Sequence, residues 1–239
     1  MYSFLRPDVL EVIQFRVLDT IVGAGLAFVG NKFLWPTWEY STINKFITNS
    51  IQSNWKFLKE IDFLYRKKDI PRNSYRLARK AALLAIGDLN AAFQRMAQEP
   101  KTSKEQLGET FRIVSLNQEF LSSTASLGTY IRSHATTAPS RHFDTYIETI
   151  QKNLGEAEGS SQDKTEQDTQ ELLEAEAYYA DLYGELSALQ KTNRENHEEG
   201  SGEDLHHKLQ EVQIIMDQLK WLLEISENLK KRMHGLKQT

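Results

Sequence analysis

Residues 16–36 read RVLDTIVGAGLAFVGNKFLWP, and this stretch decides the fold class of the chain. Its 19 residues from Val17 to Trp35 are mostly apolar, with Asp19 near one end and Lys32 near the other. A helix of this length covers about 30 Å, which matches the hydrocarbon core of a bilayer. No second run of comparable length follows. The sequence therefore predicts one transmembrane helix over about 17–35, within a membrane segment that covers residues 1–39.

Composition narrows the class of protein and its compartment. The chain has 239 residues and no cysteine, which excludes disulfides, thiolate zinc sites and a cysteine nucleophile. This composition agrees with a cytoplasmic or inner-membrane bacterial protein. The start of the chain carries Asp8 and Glu11 beside Arg6, unlike the basic start of a secretory signal. We therefore do not interpret residues 1–36 as a removable signal peptide.

Basic residues are distributed unevenly on the two sides of the predicted span. Two precede it, Arg6 and Arg16, whereas many lie at or beyond its other end: Lys32, Lys45, Lys56, Lys59, Arg66, Lys67, Lys68, Arg72, Arg76, Arg79 and Lys80. Cytoplasmic flanks are enriched in Lys and Arg, so the C-terminal part is expected in the cytoplasm. A nucleic-acid-binding helix pair is the alternative for this stretch. It lacks a recognition signature, so no nucleic-acid partner is expected.

The rest of the sequence predicts an all-α fold. Apolar residues recur at steps of three and four, the period of one helix face, and no strand pattern competes. Breaks at 69–73, 99–100 and 137–139 divide the region 40–154. We expect a cytoplasmic helical domain of four helices there: about 40–66, a second ending at Glu99-Pro100, a third capped by residues 102–105 and a fourth over 140–154.

The last third predicts a flexible linker and a helical hairpin. Residues 155–170 are polar and contain Gly-Ser-Ser, as is typical of a linker. Residues 171–239 carry two apolar seams separated by a glycine-rich acidic turn at 198–204. The seams consist of Leu172, Ala175, Tyr179, Leu182, Leu186 and Leu189, then Leu205, Leu209, Val212, Met216, Leu219 and Leu223. Packing within the protein is the favoured interpretation, and a self-associating coiled coil or a site for a helical partner is the alternative.

Asp19 is the first candidate for a functional residue. A carboxylate in hydrocarbon costs about 3 kcal/mol on insertion scales, so it normally faces protein or water. Arg16 lies three residues earlier, on the same side of a helix, where the two can pair. One interpretation is an ion pair that anchors the helix at the membrane interface. The other is a polar site, with Arg16, Asp19 and Thr20, that lines a substrate route.

Other residues of the predicted span suggest helix packing and interface anchoring. Gly23, Ala27 and Gly30, with Thr20, give one face small side chains that allow another membrane helix to approach closely. The aromatic rings of Trp35 and Trp38 suit the membrane interface, and Lys32 can extend to the same level. The expected partners are the lipid bilayer and further transmembrane helices, from the intact protein or from a homo-oligomer.

Motifs for enzyme chemistry are missing from the sequence. His206 and His207 are adjacent and lack the spacing of a zinc-protease helix. Gly23 and Gly25 form a Gly-x-Gly inside the span without a preceding strand, so they do not predict a dinucleotide loop. No phosphate loop or nucleophile elbow occurs. We therefore expect no catalytic residues, no metal and no cofactor.

Two groups of residues resemble a known family. The order Arg16-x-x-Asp19-Thr20-x-x-Gly23, followed by Leu34-Trp35-Pro36, resembles the last transmembrane helix of the fusaric acid resistance protein-like (FUSC) family, in its YccS/YhfK-type subgroup. The segments 79–83 and 90–100 resemble the start of the cytoplasmic helical domain that follows it. The resemblance covers roughly residues 12–135.

The resemblance implies a bacterial inner-membrane protein with two sets of membrane helices, each followed by a cytoplasmic helical region. Its members are linked to export of aromatic and other organic acids. This chain begins almost at the last span, so we expect it to be the C-terminal part of such a protein. The alternative is a membrane-anchored helical scaffold without transport activity. The resemblance carries no catalytic or substrate residue to a position here.

Overall fold

The structure is a computed structural model that describes residues 9–30, 39–66, 72–99, 102–134, 136, 139–158, 166–195 and 201–238. Over these residues the fold consists of helices with no strand, which confirms the all-α prediction. The helices are α1 (Val9–Val29), α2 (Glu39–Arg66), α3 (Arg72–Met96), α4 (Lys104–Ser133), α5 (Arg141–Glu158), α6 (Glu166–Glu195) and α7 (Ser201–Gln238).

Helix α1 belongs to a unit of its own, Met1–Trp38. It begins at Val9, eight residues before the predicted start of the span, because residues 9–16 contain further apolar residues and good helix formers. Its 21 residues correspond to a length of about 32 Å. The predicted end of the span at Trp35 lies outside the described residues. The apolar segment therefore includes residues that the sequence-based boundary omitted.

The second unit, Glu39–Thr239, contains the other six helices. Helices α2 and α4 lie at its centre, with α3 packed on both of them. Helix α2 buries residues at steps of three and four, among them Ile43, Ile47, Leu58 and Ile61. This spacing places them on one side of the helix, facing α3 and α4. The predicted apolar stripe of residues 40–66 thus forms the centre of the core.

The start of α4 is fixed by a capping box. The Gln106 backbone N–H donates to Ser103 Oγ at 3.1 Å, and the Ser103 backbone N–H donates to Gln106 Oε1 at 3.2 Å. Two backbone donors of the first turn are thereby satisfied, which stabilises the helix end. The predicted cap at residues 102–105 is confirmed.

Helix α7 packs against α4 and α5 as well as α6. Its side chains Leu219, Leu222 and Leu229 are buried in the same core as residues of α2, α4 and α5. The structure therefore differs from the predicted division into a domain at 40–154 and a separate hairpin at 171–239. The physical reason is that α7 carries apolar residues on more than one side, so it covers several helices at once.

The predicted linker at 155–170 also differs from the structure. Helix α5 continues to Glu158, and α6 begins at Glu166, while 159–165 lie outside the described residues. Leu154 and Ala157 are buried, and this packing holds the end of α5 in helical form despite Gly155. Polar composition alone is a poor guide to a linker when some of the residues face a core.

Gly128 is the glycine at which α4 approaches its neighbours most closely. An added Cβ would lie 2.8 Å from Ile61 Cδ1 and 3.1 Å from Tyr75 Oη.

We expect Gly128→Val to lower the free energy of unfolding by about 2 kcal/mol, because the extra methyl groups overpack a closed site. Chemical denaturation of the detergent-solubilised protein measures this value. Gly108→Val in the same helix is the control, since its Cβ meets nothing within 4 Å. Equal stability of the two variants would contradict the prediction.

Candidate functional site

The apolar surface of α1 is exposed on every side. Residues Val12–Val29 form a stretch long and apolar enough to cross a membrane, and no part of it is buried. Its exposed large side chains are Val12, Ile13, Phe15, Val17, Leu18, Ile21, Val22, Leu26, Phe28 and Val29. At 100° per residue they surround the helix, unlike the single apolar stripe of a surface helix. Such a surface needs lipid or other apolar helices around it.

Asp19 lies within α1, ten residues after the first residue of this helix, Val9. The sequence placed Asp19 close to an interface only because the start of the span was set at Val17. The interfacial ion pair with Arg16 and the polar site that lines a substrate route both stay predictions. A carboxylate within an apolar helix requires a polar neighbour or water.

Arg16, Asp19 and Thr20 make different contacts from those expected. The Thr20 hydroxyl donates to the Arg16 backbone carbonyl at 2.7 Å. Among the described residues, Arg16 and Asp19 share no ion pair, and both side chains are exposed. Both are free to turn away from each other in the absence of packing. The two charges therefore present separate groups on the surface of α1.

The predicted packing face of α1 is open in the described chain. A Cβ added at Gly23 or Gly30 would meet nothing within 4 Å, and Ala27 is exposed. Close approach of another helix at this face therefore stays a prediction. The predicted interface residues Lys32, Trp35 and Trp38 lie outside the described residues.

Metal-ligating residues do not cluster in the described part of the chain. No group of three or more His, Asp or Glu side chains there could hold a metal ion. The rings of His206 and His207 are 6.5 Å apart at the exposed start of α7.

Buried polar contacts tie α2 to α4 at a place the sequence analysis did not identify. Ser50 Oγ donates to Asn117 Oδ1 at 3.1 Å, and Asn54 Nδ2 donates to the Asn117 carbonyl at 3.1 Å. Asn117 Nδ2 in turn donates to the Ile113 carbonyl at 3.0 Å. All three polar side chains are buried. The signal was present, because Ser50 and Asn54 lie four residues apart within the apolar face of α2.

A second set of polar contacts ties α5 to α7. Asn153 Nδ2 donates to Ser226 Oγ at 3.1 Å, and Lys230 forms an ion pair with Glu156 Oε2 one turn further along. Glu156 is 7% exposed, and its other carboxylate oxygen has no hydrogen-bond partner. These groups fix the register of the two helices. Their burial between helices indicates a structural role.

An aromatic cluster joins α5 to α6. The ring centroids of His142 and Tyr178 are 4.2 Å apart, and those of Tyr146 and Tyr179 are 6.3 Å apart. The hydroxyls of Tyr179 and Ser140 form a hydrogen bond of 2.8 Å. The Tyr146 hydroxyl is buried without a hydrogen-bond partner. Burial, with a smaller contribution from Glu176, raises the pKa of the Tyr146 phenol above its usual value.

Replacing Tyr146 with phenylalanine is expected to stabilise the unit Glu39–Thr239 by about 1 kcal/mol at neutral pH, since it removes a buried unpaired hydroxyl. The raised pKa also means that the native state keeps the phenolic proton when the unfolded state loses it. Deprotonation of the phenol in the unfolded state therefore lowers the stability of the wild type as pH rises above about 10, and leaves it unchanged below that pH. Phenylalanine does not titrate, so the stability difference between Tyr146→Phe and wild type grows above that pH. Unfolding at neutral pH and at alkaline pH tests both points. The exposed Tyr183→Phe is the control, and a Tyr146→Phe variant less stable than wild type would contradict the account.

Comparisons with known proteins place the chain among relatives of an inner membrane protein. It is 28% identical to inner membrane protein YccS of Escherichia coli (strain K12) over 126 residues, 53% of this chain. It is 30% identical to an uncharacterized protein of Haemophilus influenzae over 131 residues, 54% of this chain. It is also 29% identical to uncharacterized protein ORF2 of Neisseria gonorrhoeae over 99 residues, 41% of this chain.

These matches confirm the resemblance to YccS-type proteins. They cover 18%, 18% and 24% of the three relatives, so the chain spans only a minor part of the length of the curated relatives it matches. No protein-family model matches the chain, and no solved structure matches it.

Proposed function

We propose that this chain is part of an integral inner-membrane protein of the YccS and FUSC kind, with α1 crossing the bilayer. The observation that supports the proposal most is the apolar surface of α1, which extends over Val12–Val29 and is exposed on every side. The similarity to an inner membrane protein supports the same location. The excess of Lys and Arg after the span favours a cytoplasmic position for the unit Glu39–Thr239.

The whole protein, in this proposal, exports aromatic or other organic acids and is not an enzyme. Arg16, Asp19 and Thr20 then belong to a polar route between membrane helices. The support is physical, because two charges in the apolar part of α1 are tolerated only where they face protein or water. A guanidinium there can bind a substrate carboxylate through two parallel hydrogen bonds. Arg16 is accordingly the residue assigned to the organic anion.

The test of transport uses Asp19→Asn in the intact protein. We expect at least about a tenfold lower rate of efflux of labelled benzoate from cells, because without the nearby carboxylate Arg16 would hold the anion more tightly and release it more slowly. Asp181→Asn is the matched control, since Asp181 is an exposed carboxylate on α6. Efflux that is unchanged in Asp19→Asn, at equal protein levels in the membrane, would remove Asp19 from any transport role.

A membrane-anchored scaffold is the second candidate function, and the surface of α6 favours it. Leu173, Tyr183 and Leu189 are 60%, 43% and 53% exposed along this helix. Deletion of the C-terminal region is an unsuitable test, because α7 is part of the core. The variant Leu173→Ser with Leu189→Ser is expected to keep the fold, because both side chains are exposed. Loss of a co-purifying protein with unchanged efflux would favour the scaffold over transport.

A further inference from the structure

Helix α3 has an outer face that combines large apolar and basic side chains. Leu77, Leu83 and Leu84 are 67%, 54% and 59% exposed. Arg76 directly precedes Leu77, Arg79 and Lys80 lie between Leu77 and Leu83, and all three basic residues are exposed as well. The opposite side of α3 is buried against α2 and α4. Exposure of three neighbouring leucines is therefore not explained by the packing of the unit.

The leucines and the basic residues share one side of the helix. At 100° per residue, Leu77, Leu84 and Lys80 fall within about 60°, and Arg76 and Leu83 widen this sector to about 120°. Arg79 lies at its edge and widens it to about 160°. Leucine side chains beside Lys and Arg on a common face are typical of helices that lie in the plane of a membrane interface. Long basic side chains can reach phosphate groups while their stems cover apolar surface.

The positive charge of this face has no acidic partner within the part of the chain that the structure describes. Among the described residues, Arg76, Arg79 and Lys80 make no ion pair or side-chain hydrogen bond. Asp88 is the sole acidic residue of α3. A second copy docked face to face would bring like charges together, which opposes association. An anionic lipid surface offers charge of opposite sign and an apolar layer for the leucines.

We propose that the outer face of α3, formed by Arg76, Leu77, Arg79, Lys80, Leu83 and Leu84, docks on the anionic lipid surface of the membrane. The leucines enter the boundary between headgroups and acyl chains, and the three cations contact lipid phosphates. This inference rests on the proposed function, since α1 in the bilayer would keep the following helices at a high effective concentration near the surface.

The chain has no cysteine, so a single introduced cysteine can carry a fluorophore without competing labels. We would label Ala81→Cys, an exposed position between Leu77 and Leu84, in the full chain reconstituted into vesicles. The vesicles contain phosphatidylcholine alone or mixed with phosphatidylglycerol, and a quencher carried by lipid reports contact. We expect quenching in the anionic vesicles and little in phosphatidylcholine. A label at the exposed Gln210 is the control and is expected to show no such difference.

The variant Arg76→Gln with Arg79→Gln and Lys80→Gln tests the charge. Each basic residue near an anionic surface contributes about a fivefold factor, so we expect the docking constant to fall by about 10²-fold.

A label at Leu18→Cys separates the two proposals, because it reports whether α1 lies in lipid at all. Quenching at Leu18 with none at Ala81 in either vesicle would overturn the docking proposal alone. A label at Ala81 that is shielded from water and lipid through contact with a second copy would overturn it too. Absence of quenching at Leu18 would instead overturn the proposed function.

Discussion

Replacing both Val22 and Leu26 with arginine is expected to release the chain from membranes. These side chains are 52% and 68% exposed on the apolar surface of α1. An arginine near the centre of a membrane helix costs about 3 kcal/mol on insertion scales, so the pair removes about 6 kcal/mol, or a factor of about 10⁴ in partitioning. Alkaline carbonate extraction followed by immunoblotting measures the protein in pellet and supernatant. Wild type is expected in the pellet and the double variant in the supernatant.

Two arginines at exposed apolar positions in the unit Glu39–Thr239 provide the control. Leu173→Arg with Leu189→Arg also adds two arginines at exposed apolar positions, but on α6. We expect that variant to stay in the pellet with wild type. Release of both double variants would show that added charge, and not loss of an apolar span, weakens membrane association. Retention of the α1 variant would contradict a lipid-exposed α1.

The second large effect is expected from Lys230→Met in the contact between α5 and α7. The change leaves the Glu156 carboxylate buried and without its cation. Breaking a buried pair in this way costs about 3–5 kcal/mol, much more than the net value of the pair itself. Urea unfolding of the detergent-solubilised chain, followed by circular dichroism, measures the loss.

The double variant Glu156→Met with Lys230→Met removes both charges and is expected to recover most of the stability. The matched single control is Lys220→Met, an exposed lysine of the same helix, with a change within about 0.5 kcal/mol. A Lys230→Met protein as stable as the Lys220→Met protein would show that the Glu156 carboxylate is not held by Lys230. A double variant no more stable than Lys230→Met would show that packing, and not charge, explains the loss.

Local signals predicted much of the fold. The stripe from Ile43 to Ile61 predicted α2 because buried residues of a helix recur at its own period. Ser103 marked the start of α4 because its hydroxyl can accept the unpaired backbone N–H of Gln106. Both signals depend on residues within one or two turns of each other. No knowledge of the other helices was needed for either prediction.

Packing between distant parts of the chain determines the features of the fold that the sequence did not predict. Gly155 suggested a linker, yet the burial of Leu154 and Ala157 keeps this segment helical. Ser123 Oγ of α4 donates a hydrogen bond of 2.7 Å to Gln218 Oε1 of α7, and these two residues are 95 positions apart in the sequence. No periodicity within one helix identifies such a partner.

The candidate site in α1 was predicted from residue types alone and stays a prediction. The sequence identified Arg16, Asp19 and Thr20, since charged residues in an apolar run are conspicuous. It placed Asp19 near an end, because the apolar run was taken to begin at Val17. The structure extends α1 back to Val9, eight residues before the predicted start of the span. The choice between a polar route and an interfacial ion pair stays a prediction.

A depth profile along α1 tests the account most directly. Single cysteines at Val12, Leu18, Val22 and Val29 would carry spin labels in the full chain reconstituted into vesicles. Accessibility to dissolved oxygen and to a water-soluble nickel complex then reports the depth of each label. We predict the greatest depth at Leu18 and Val22, decreasing toward Val12 and Val29. Equal access of the nickel complex to all four labels would contradict a membrane-spanning α1.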